Sequence, residues 1–260
     1  LRFKLRHSML PIEKLPEPQD LLDYKRESSA PTYDGFTAFR QERNDAGNRI
    51  PRNETPFYKL REQLLREQKF VCAYCGQKDL QVETQHGKAQ MKTEHFLPQN
   101  DEAGNDLNYQ NLLGCCLGND NKKGKNHCDS MKGDKVLQQI TNPAAMQCRD
   151  EDIIYKVNNA SEEVQLDTSN DNKRKELIGD TKGCLNLNHD HLRKERFSIF
   201  KNVLKRRLGE DETQWNFQEV QRLISDYDDS SDGHHKAFKD FVTWYLRDWL
   251  VKNQSNTSRR

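Results

Sequence analysis

The chain is poor in apolar residues and contains no long hydrophobic run. Only 33% of its 260 residues are hydrophobic and the mean hydropathy is −1.09, whereas globular domains average roughly 45–50% apolar residues. This scarcity argues against one large core and favours several small packed units. No stretch reaches the roughly 18 apolar residues of a membrane span, and the N-terminal residues lack the apolar segment of a secretion signal. We therefore expect a cytoplasmic protein that does not bind membranes.

The chain also lacks an excess of charge of either sign. Its 42 lysines and arginines nearly balance its 41 aspartates and glutamates, which gives a net charge of +1. The strong basic excess that is typical of an independent nucleic-acid-binding protein is therefore absent. A short run of Lys122, Lys123 and Lys125 is the local exception. Any binding of nucleic acid should accordingly be local or shared with a partner.

Three regions are predicted along the chain. Residues 1–55 carry five prolines and few apolar positions, which indicates an extended N-terminal arm suited to docking on a partner. Residues 56–140 begin with an amphipathic helix that should end near Gln68. Short strands, glycines and loops follow, as expected for a small domain that a bound metal ion stabilises. Residues 141–260 predict a hairpin over 152–165 and then a mostly helical domain, with helices over 192–208, 215–227 and 235–251.

Cysteines are the most informative residues of the chain. An odd number of them, seven, in a chain without a secretion signal favours reduced thiols and metal binding over disulfides. Cys72 and Cys75 form a CxxC knuckle whose two thiolates can hold one ion. A tetrahedral zinc needs two further ligands, and Cys116 and Cys128 are the natural second pair. Cys115, next to Cys116, is then not needed as a ligand. His127, next to Cys128, is an alternative fourth ligand.

A carboxylate and an imidazole lie between the two cysteine pairs. Glu94 and His95 are adjacent in a short strand-like run, which places a carboxylate and an imidazole side by side. Phosphodiester hydrolysis needs a general base and a divalent cation, and these two side chains can supply the base and one metal ligand. Asp129, at the expected start of a helix, can supply a second ligand. Lys132 would lie on the same helical face and contact phosphate.

These residues resemble the HNH endonucleases, which have the ββα-metal or His-Me finger fold, over residues 60–134. The resemblance implies a mainly α chain that carries a small zinc-stabilised ββα-metal nuclease domain. It implies that His95 is the general base, that Glu94 and Asp129 bind a catalytic magnesium or manganese ion, and that Lys132 is the lysine of the catalytic helix. Asn111 resembles the asparagine that ties the loop to the hairpin. The sequence departs from the family at Asp129, where many members have asparagine or histidine.

A longer set of motifs is similar to the nuclease subunit of Septu anti-phage systems, some of which are attached to retrons. These motifs include Glu17-Pro18, Tyr33-Asp34, Glu94-His95-Phe96 and Leu185-Asn186-Leu187-Asn188. The resemblance implies an ABC-type ATPase as partner and a role in bacterial antiviral defence. The implied substrate is nucleic acid, with DNA favoured and RNA or tRNA as the alternative.

Two other interpretations are open. The chain can be a zinc-stabilised module that binds nucleic acid or protein without catalysis, although such a module needs neither a general base nor hard-metal ligands beside a thiolate site. The helical half can also serve as a partner surface. The aromatic residues that would form it are Phe238, Phe241, Trp244, Tyr245 and Trp249.

Overall fold

The structure is a computed structural model, and it describes residues 9–39, 50–77, 79–99, 106–118, 126–145 and 152–257. The chain is mixed α/β, about 44% helical, and its described part contains two small antiparallel sheets of two strands each. The expectation of a mainly α chain is therefore met only in part. None of the described helices is both long and apolar enough to cross a lipid bilayer.

The N-terminal region is folded, so the prediction of an extended arm is wrong for its described residues. Helix α1 (Gln19–Glu27) starts directly after Pro18, and helix α2 (Tyr33–Ala38) is capped by the Thr32 hydroxyl, which accepts a hydrogen bond from Gly35 N. Both helices are too short to show a recognisable helical repeat of apolar residues in the sequence, and prolines interrupt the surrounding segments. They pack into a small N-terminal core, whose buried members are Leu21, Tyr24, Tyr33, Phe36, Leu60, Leu64, Leu107, Tyr109 and Leu112. Residues 1–8 and 40–49 of the predicted arm lie outside the described residues.

Helix α3 (Pro56–Glu67) leads the chain to the first cysteine pair and confirms the predicted amphipathic helix. The Thr55 hydroxyl accepts a hydrogen bond from Tyr58 N at 3.4 Å, and the proline at the first helical position has no amide hydrogen that would need a partner. Leu60 faces the N-terminal core, whereas Leu65 faces a larger central core. The helix therefore joins the two cores.

A short hairpin and a one-turn helix follow α3. Strand β1 (Met91–His95) pairs antiparallel with strand β2 (Leu112–Cys116), and every residue of β2 is buried. Helix α4 (Asp129–Lys132) packs on the face of β1 that carries Lys92 and Glu94. This arrangement brings the predicted site residues into one small unit.

The C-terminal region contains the predicted hairpin and then mostly helices. Strands β3 (Ile153–Asn158) and β4 (Glu163–Thr168) pair along their whole length. The helices that follow are α5 (Asp171–Ile178), α6 (Asp190–Ile199), α7 (Arg206–Leu208), α8 (Phe217–Asp228) and α9 (Lys239–Thr257), with a π-helical segment at Phe200–Lys205. Short 3-10 helices occur at Arg52–Glu54, Tyr109–Asn111 and Glu212–Gln214.

The large core is shared by the central and C-terminal regions. One cluster of buried side chains includes the cysteines of the knuckle, strand β3 and residues of α9. The Tyr155 hydroxyl donates to the Asp240 carboxylate at 2.5 Å, and Phe238 N donates to Gly76 O. The predicted boundary near residue 140 therefore does not coincide with a gap in the packing. Phe238 and Phe241 are almost fully buried, so they belong to this core and not to a partner surface.

Candidate metal centre and active site

Four cysteines converge next to the hairpin. Cys72 and Cys75 lie on the knuckle after α3, Cys116 ends β2, and Cys128 immediately precedes α4. All four are buried, and their sulfur atoms lie within 4.8 Å of one another. Gly76, with a φ of 70°, lets the knuckle fold back so that Gly76 N donates to Cys72 O at 3.1 Å. The structure therefore brings together the four cysteines that the sequence predicted as one site.

The sulfur–sulfur distances fit a tetrahedral metal ion. The Sγ atoms of Cys72 and Cys128 are 3.9 Å apart, and so are those of Cys75 and Cys116. Four thiolates at about 2.3 Å from a central zinc lie roughly 3.8 Å from one another, whereas a disulfide requires a distance of about 2.05 Å. These cysteines can therefore bind a metal ion such as zinc.

Two neighbours of this cluster are not members of it. Cys115 is fully buried and its thiol neighbours that of Cys72, but it is not one of the four cysteines whose sulfur atoms all lie within 4.8 Å of one another. His127 Nδ1 lies 3.2 Å from Cys128 Sγ and 3.9 Å from Cys116 Sγ. At these distances the imidazole contacts the sulfur atoms as a hydrogen-bonding neighbour of the cluster and replaces none of them.

Glu94 is buried between the knuckle and α4. The Tyr74 hydroxyl donates to Glu94 Oε1 at 2.8 Å, and Lys132 Nζ lies 2.7 Å from the same oxygen. The side chains of Glu94 and Lys132 are only 3% and 1% exposed. Burial, together with the neighbouring Asp129 carboxyl group, raises the pKa of the Glu94 carboxyl well above its ordinary value, although Lys132 acts in the opposite direction.

Asp129 lies beside Glu94 at the start of α4. The two carboxyl groups lie close enough that Asp129 helps to raise the pKa of Glu94, as expected when two like charges are neighbours. The Asp129 side chain is 19% exposed, and its Oδ2 lies 3.7 Å from Lys92 Nζ. Lys92 Nζ also lies 2.9 Å from Ser130 Oγ. Two neighbouring carboxyl groups, one buried and the other partly exposed, form an arrangement that a divalent cation would stabilise.

The predicted contact between Lys132 and phosphate is wrong. Lys132 Nζ donates to the His95 carbonyl oxygen at 2.9 Å in addition to its ion pair with Glu94. A phosphate cannot reach an ammonium group that is closed off from solvent. Asp129 and Lys132 belong to a one-turn helix packed against β1, so the strand covers the face on which Lys132 lies. Lys92, whose side chain is 33% exposed, is accessible to solvent on this side of the hairpin.

His95 ends β1 on the face opposite Glu94. Its ring packs edge-on against the Tyr33 ring of α2, with the ring centroids 4.5 Å apart. His95 Nε2 lies 2.9 Å from the Asp106 carbonyl oxygen. Since a carbonyl only accepts, Nε2 carries the hydrogen and Nδ1 keeps its lone pair. Burial lowers the pKa of His95, so the ring is neutral at pH 7. Glu94 and His95 are adjacent in the sequence, but their side chains leave β1 on opposite faces because neighbouring strand residues alternate.

Asn111 ties the chain after β1 to the start of β2. Its Nδ2 donates to the Leu97 carbonyl oxygen at 2.9 Å, and its Oδ1 accepts from Leu97 N at 2.7 Å. The Asn111 carbonyl oxygen also accepts from Phe96 N at 3.0 Å. These contacts hold the end of β1, and with it His95, in a fixed position.

Three further residues contact the site but were not predicted from the sequence as functional residues. Tyr33 covers His95, and burial raises the pKa of Tyr33 to about 12. Tyr74 binds Glu94, and its position inside the CxxC knuckle was the available signal. Asp106 contacts His95 through its backbone carbonyl. Every residue type has this group, so the sequence could not reveal the contact.

The arrangement combines a neutral imidazole, a pair of neighbouring carboxyl groups and a four-cysteine cluster in one hairpin-and-helix unit. The imidazole can accept a proton at Nδ1, and the carboxyl pair can hold a hard cation. The basic run of Lys122, Lys123 and Lys125 lies outside the described residues. Comparison with protein-family models and with curated protein sequences finds no match to this chain. Function is therefore inferred from the residues of the site.

Proposed function

We propose that this chain is a metal-dependent HNH endonuclease, in which β1, β2 and α4 form a ββα-metal unit and a zinc ion occupies the four-cysteine cluster. The observation that carries the proposal is the pair of neighbouring carboxyl groups of Glu94 and Asp129, with Asp129 also near His95, whose Nε2 is held by a backbone carbonyl. A protein that only bound nucleic acid would need neither group. Both are required for hydrolysis of a phosphodiester bond.

The carboxyl pair supplies ligands for a catalytic magnesium or manganese ion. Tyr74 and Lys132 both bind Oε1 of Glu94, so Oε2 remains for a cation held jointly with Asp129. Hard divalent cations prefer carboxylate oxygens to the thiolates of the neighbouring cluster. The chemistry that such a cation supplies is stabilisation of the negative charge that develops on the phosphate group.

His95 acts as the general base in this proposal. The Asp106 carbonyl orients the ring and fixes the hydrogen on Nε2, so Nδ1 can remove a proton from the water that attacks phosphorus. His95 is the last residue of β1 and lies across the strand from Glu94, so the reacting phosphate binds over the end of the strand. Asn111 keeps this strand end in place through its two hydrogen bonds to Leu97.

The substrate, partner and cellular role rest on the resemblance to Septu systems. DNA is the favoured substrate, and RNA, including tRNA, is the alternative. The proposed partner is an ABC-type ATPase, and the proposed role is antiviral defence in the bacterial cytoplasm. The net charge of +1 supports this proposal, because a protein with few excess cations gains little affinity from phosphate contacts alone and benefits from a partner.

A cleavage assay tests the proposed activity. The purified chain is incubated in magnesium with plasmid, phage DNA and total tRNA, with and without an ABC-type ATPase that copurifies with it. We expect cleavage by the complex, weak or no cleavage by the free chain, and no cleavage by the His95→Ala variant. Elemental analysis of the variant should show unchanged metal content in the cysteine cluster. Cleavage by His95→Ala at the wild-type rate would refute the proposed mechanism.

A second candidate function is a zinc-stabilised binding module without catalysis. The observation in its favour is the buried ion pair of Glu94 and Lys132, which neutralises the Glu94 carboxylate without a divalent cation. Titration with manganese, followed by electron paramagnetic resonance, separates the two functions. Binding of one manganese ion that Asp129→Ala abolishes supports the nuclease, whereas no binding at millimolar manganese supports the module.

A further inference from the structure

A cavity of about 860 Å³ opens beside α3. Its walls come from the end of α2, the segment before α3 and the first turns of α3, and they include Arg52, Phe57, Tyr58 and Arg61. The cavity combines two guanidinium groups with two aromatic rings. None of the groups proposed for hydrolysis lines it, so it is a separate feature of the molecule.

Arg61 is a buried cation without an anionic partner. It is 8% exposed, its Nη2 donates to the carbonyl oxygens of Val82 and Met91 at 3.2 and 2.6 Å, and its buried Nε has no hydrogen-bond partner. In the described part of the chain no carboxylate forms an ion pair with Arg61, and the neighbouring Glu83 is paired with Arg52 at 3.0 Å. Unlike Lys132, Arg61 lines the wall of a cavity. Burying an unpaired charge is strongly unfavourable, so this guanidinium is suited to an anionic ligand that enters the cavity.

The cavity lies close to the proposed general base. The Arg61 guanidinium carbon lies 5.5 Å from the centroid of the Phe57 ring. Phe57 contacts the Tyr33 ring with centroids 6.0 Å apart, and Tyr33 in turn contacts His95 at 4.5 Å. Only the Tyr33 ring therefore separates Phe57 from His95. A ligand bound in the cavity would be a close neighbour of a phosphate bound at His95.

We infer that this cavity binds an unpaired nucleotide of the substrate strand, with a phosphate on Arg61 and the base against Phe57 or Tyr58. The inference rests on the proposed nuclease function and names a substrate subsite for it. The planar fork of arginine pairs with two phosphate oxygens, and half-buried aromatic rings stack on bases of any sequence. A duplex keeps its bases inside its own stack and offers no ring face to the cavity, so the strand must be unpaired here.

Fluorescence anisotropy with short labelled oligonucleotides tests the inference. All proteins carry His95→Ala so that binding is measured without cleavage, and the probes are single-stranded DNA, single-stranded RNA and duplex DNA at low salt. Arg61→Met should weaken single-strand binding about 10- to 100-fold, the range of a charge-assisted hydrogen bond. The matched control is Arg66→Met, which removes the same charge from an exposed position on the same helix and should change binding less than about threefold.

A second variant covers the case in which Arg61→Met fails to fold. Phe57→Leu removes the ring beside Arg61 but keeps an apolar side chain, and it should also weaken single-strand binding while thermal stability stays near that of the parent protein. Equal binding by the Arg61 and Arg66 variants, unchanged binding by Phe57→Leu, duplex binding as tight as single-strand binding, or no oligonucleotide binding would each overturn the inference. Binding that depends on Arg61 in a protein that never cleaves would refute only the proposed nuclease.

Discussion

Cys115 and Cys116 offer a matched test of the metal centre. They are adjacent in β2 and both are buried, but only Cys116 belongs to the group of four sulfur atoms. Replacing either residue by serine exchanges one sulfur for one oxygen at neighbouring positions of the same strand. The chemical change is the same in both variants, so a difference between them reports the role of Cys116 in metal binding.

Cys116→Ser should mainly lower the zinc affinity, whereas Cys115→Ser should only lower the stability of the fold. A structural zinc site contributes about 10–16 kcal/mol, so one of four equal thiolates accounts for roughly 2.5–4 kcal/mol, which corresponds to about a 10²- to 10³-fold loss in zinc affinity. Cys115→Ser leaves the ligands in place and buries one hydroxyl group, which costs about 1–3 kcal/mol. For a chain of this size each kcal/mol lowers the melting temperature by about 2–4 °C. Cys115→Ser should therefore melt somewhat earlier with its zinc affinity unchanged.

Elemental analysis after dialysis against a chelator gives the primary measurement. Wild-type protein and Cys115→Ser should retain one zinc per chain, whereas Cys116→Ser should lose it. Thermal unfolding with and without added zinc gives the second: zinc should raise the melting temperature of Cys116→Ser and leave that of Cys115→Ser unchanged. Equal zinc retention by both variants, or loss of zinc from Cys115→Ser alone, would refute the assignment of the cluster.

The other predictions concern the catalytic groups. His95→Ala should lower the cleavage rate in magnesium by about 10²- to 10⁴-fold with unchanged zinc content, and a rate within threefold of wild type would contradict its role as general base. Glu94→Ala and Asp129→Ala should each abolish manganese binding, and a variant that still binds the ion would remove that residue from the site. Lys132→Met should lower the unfolding free energy in urea by about 3–5 kcal/mol at pH 8, since Glu94 loses its buried cation. The loss should become smaller as the pH falls, because the pKa of Glu94 is raised and protonation removes the charge that Lys132 neutralises; a loss that does not depend on pH would exclude Glu94 as the cause.

Much of the metal centre could be predicted from the sequence because its signal is local and chemically specific. The CxxC spacing of Cys72 and Cys75, with two later cysteines, is compatible with few structures other than a metal site. Helix α3 and the hairpin of β3 and β4 were equally accessible, since each shows a clear period over its full length. These elements depend little on which distant residues pack against them.

The remaining features depend on tertiary packing. Helices α1 and α2 contain only nine and six residues, and their stability comes from the core that they share with α3. The burial of Lys132 follows from the packing of α4 against β1, which no local pattern reports. The contact of His95 with Tyr33 joins residues about sixty positions apart in the sequence. In each case the deciding partner lies far along the chain.

The cysteine cluster and the carboxyl pair are connected through α4. This helix has four residues, which is far below the length at which a helix is stable by itself. Its position is fixed by Cys128, which immediately precedes it in the metal cluster, and by the Lys132 contacts with Glu94 and the His95 carbonyl. A metal ion bound by the four cysteines would therefore hold Asp129 against Glu94. Loss of that ion through Cys128→Ser should remove stability and activity together, whereas Asp129→Ala, one residue later, should remove activity and leave the metal cluster and the fold intact.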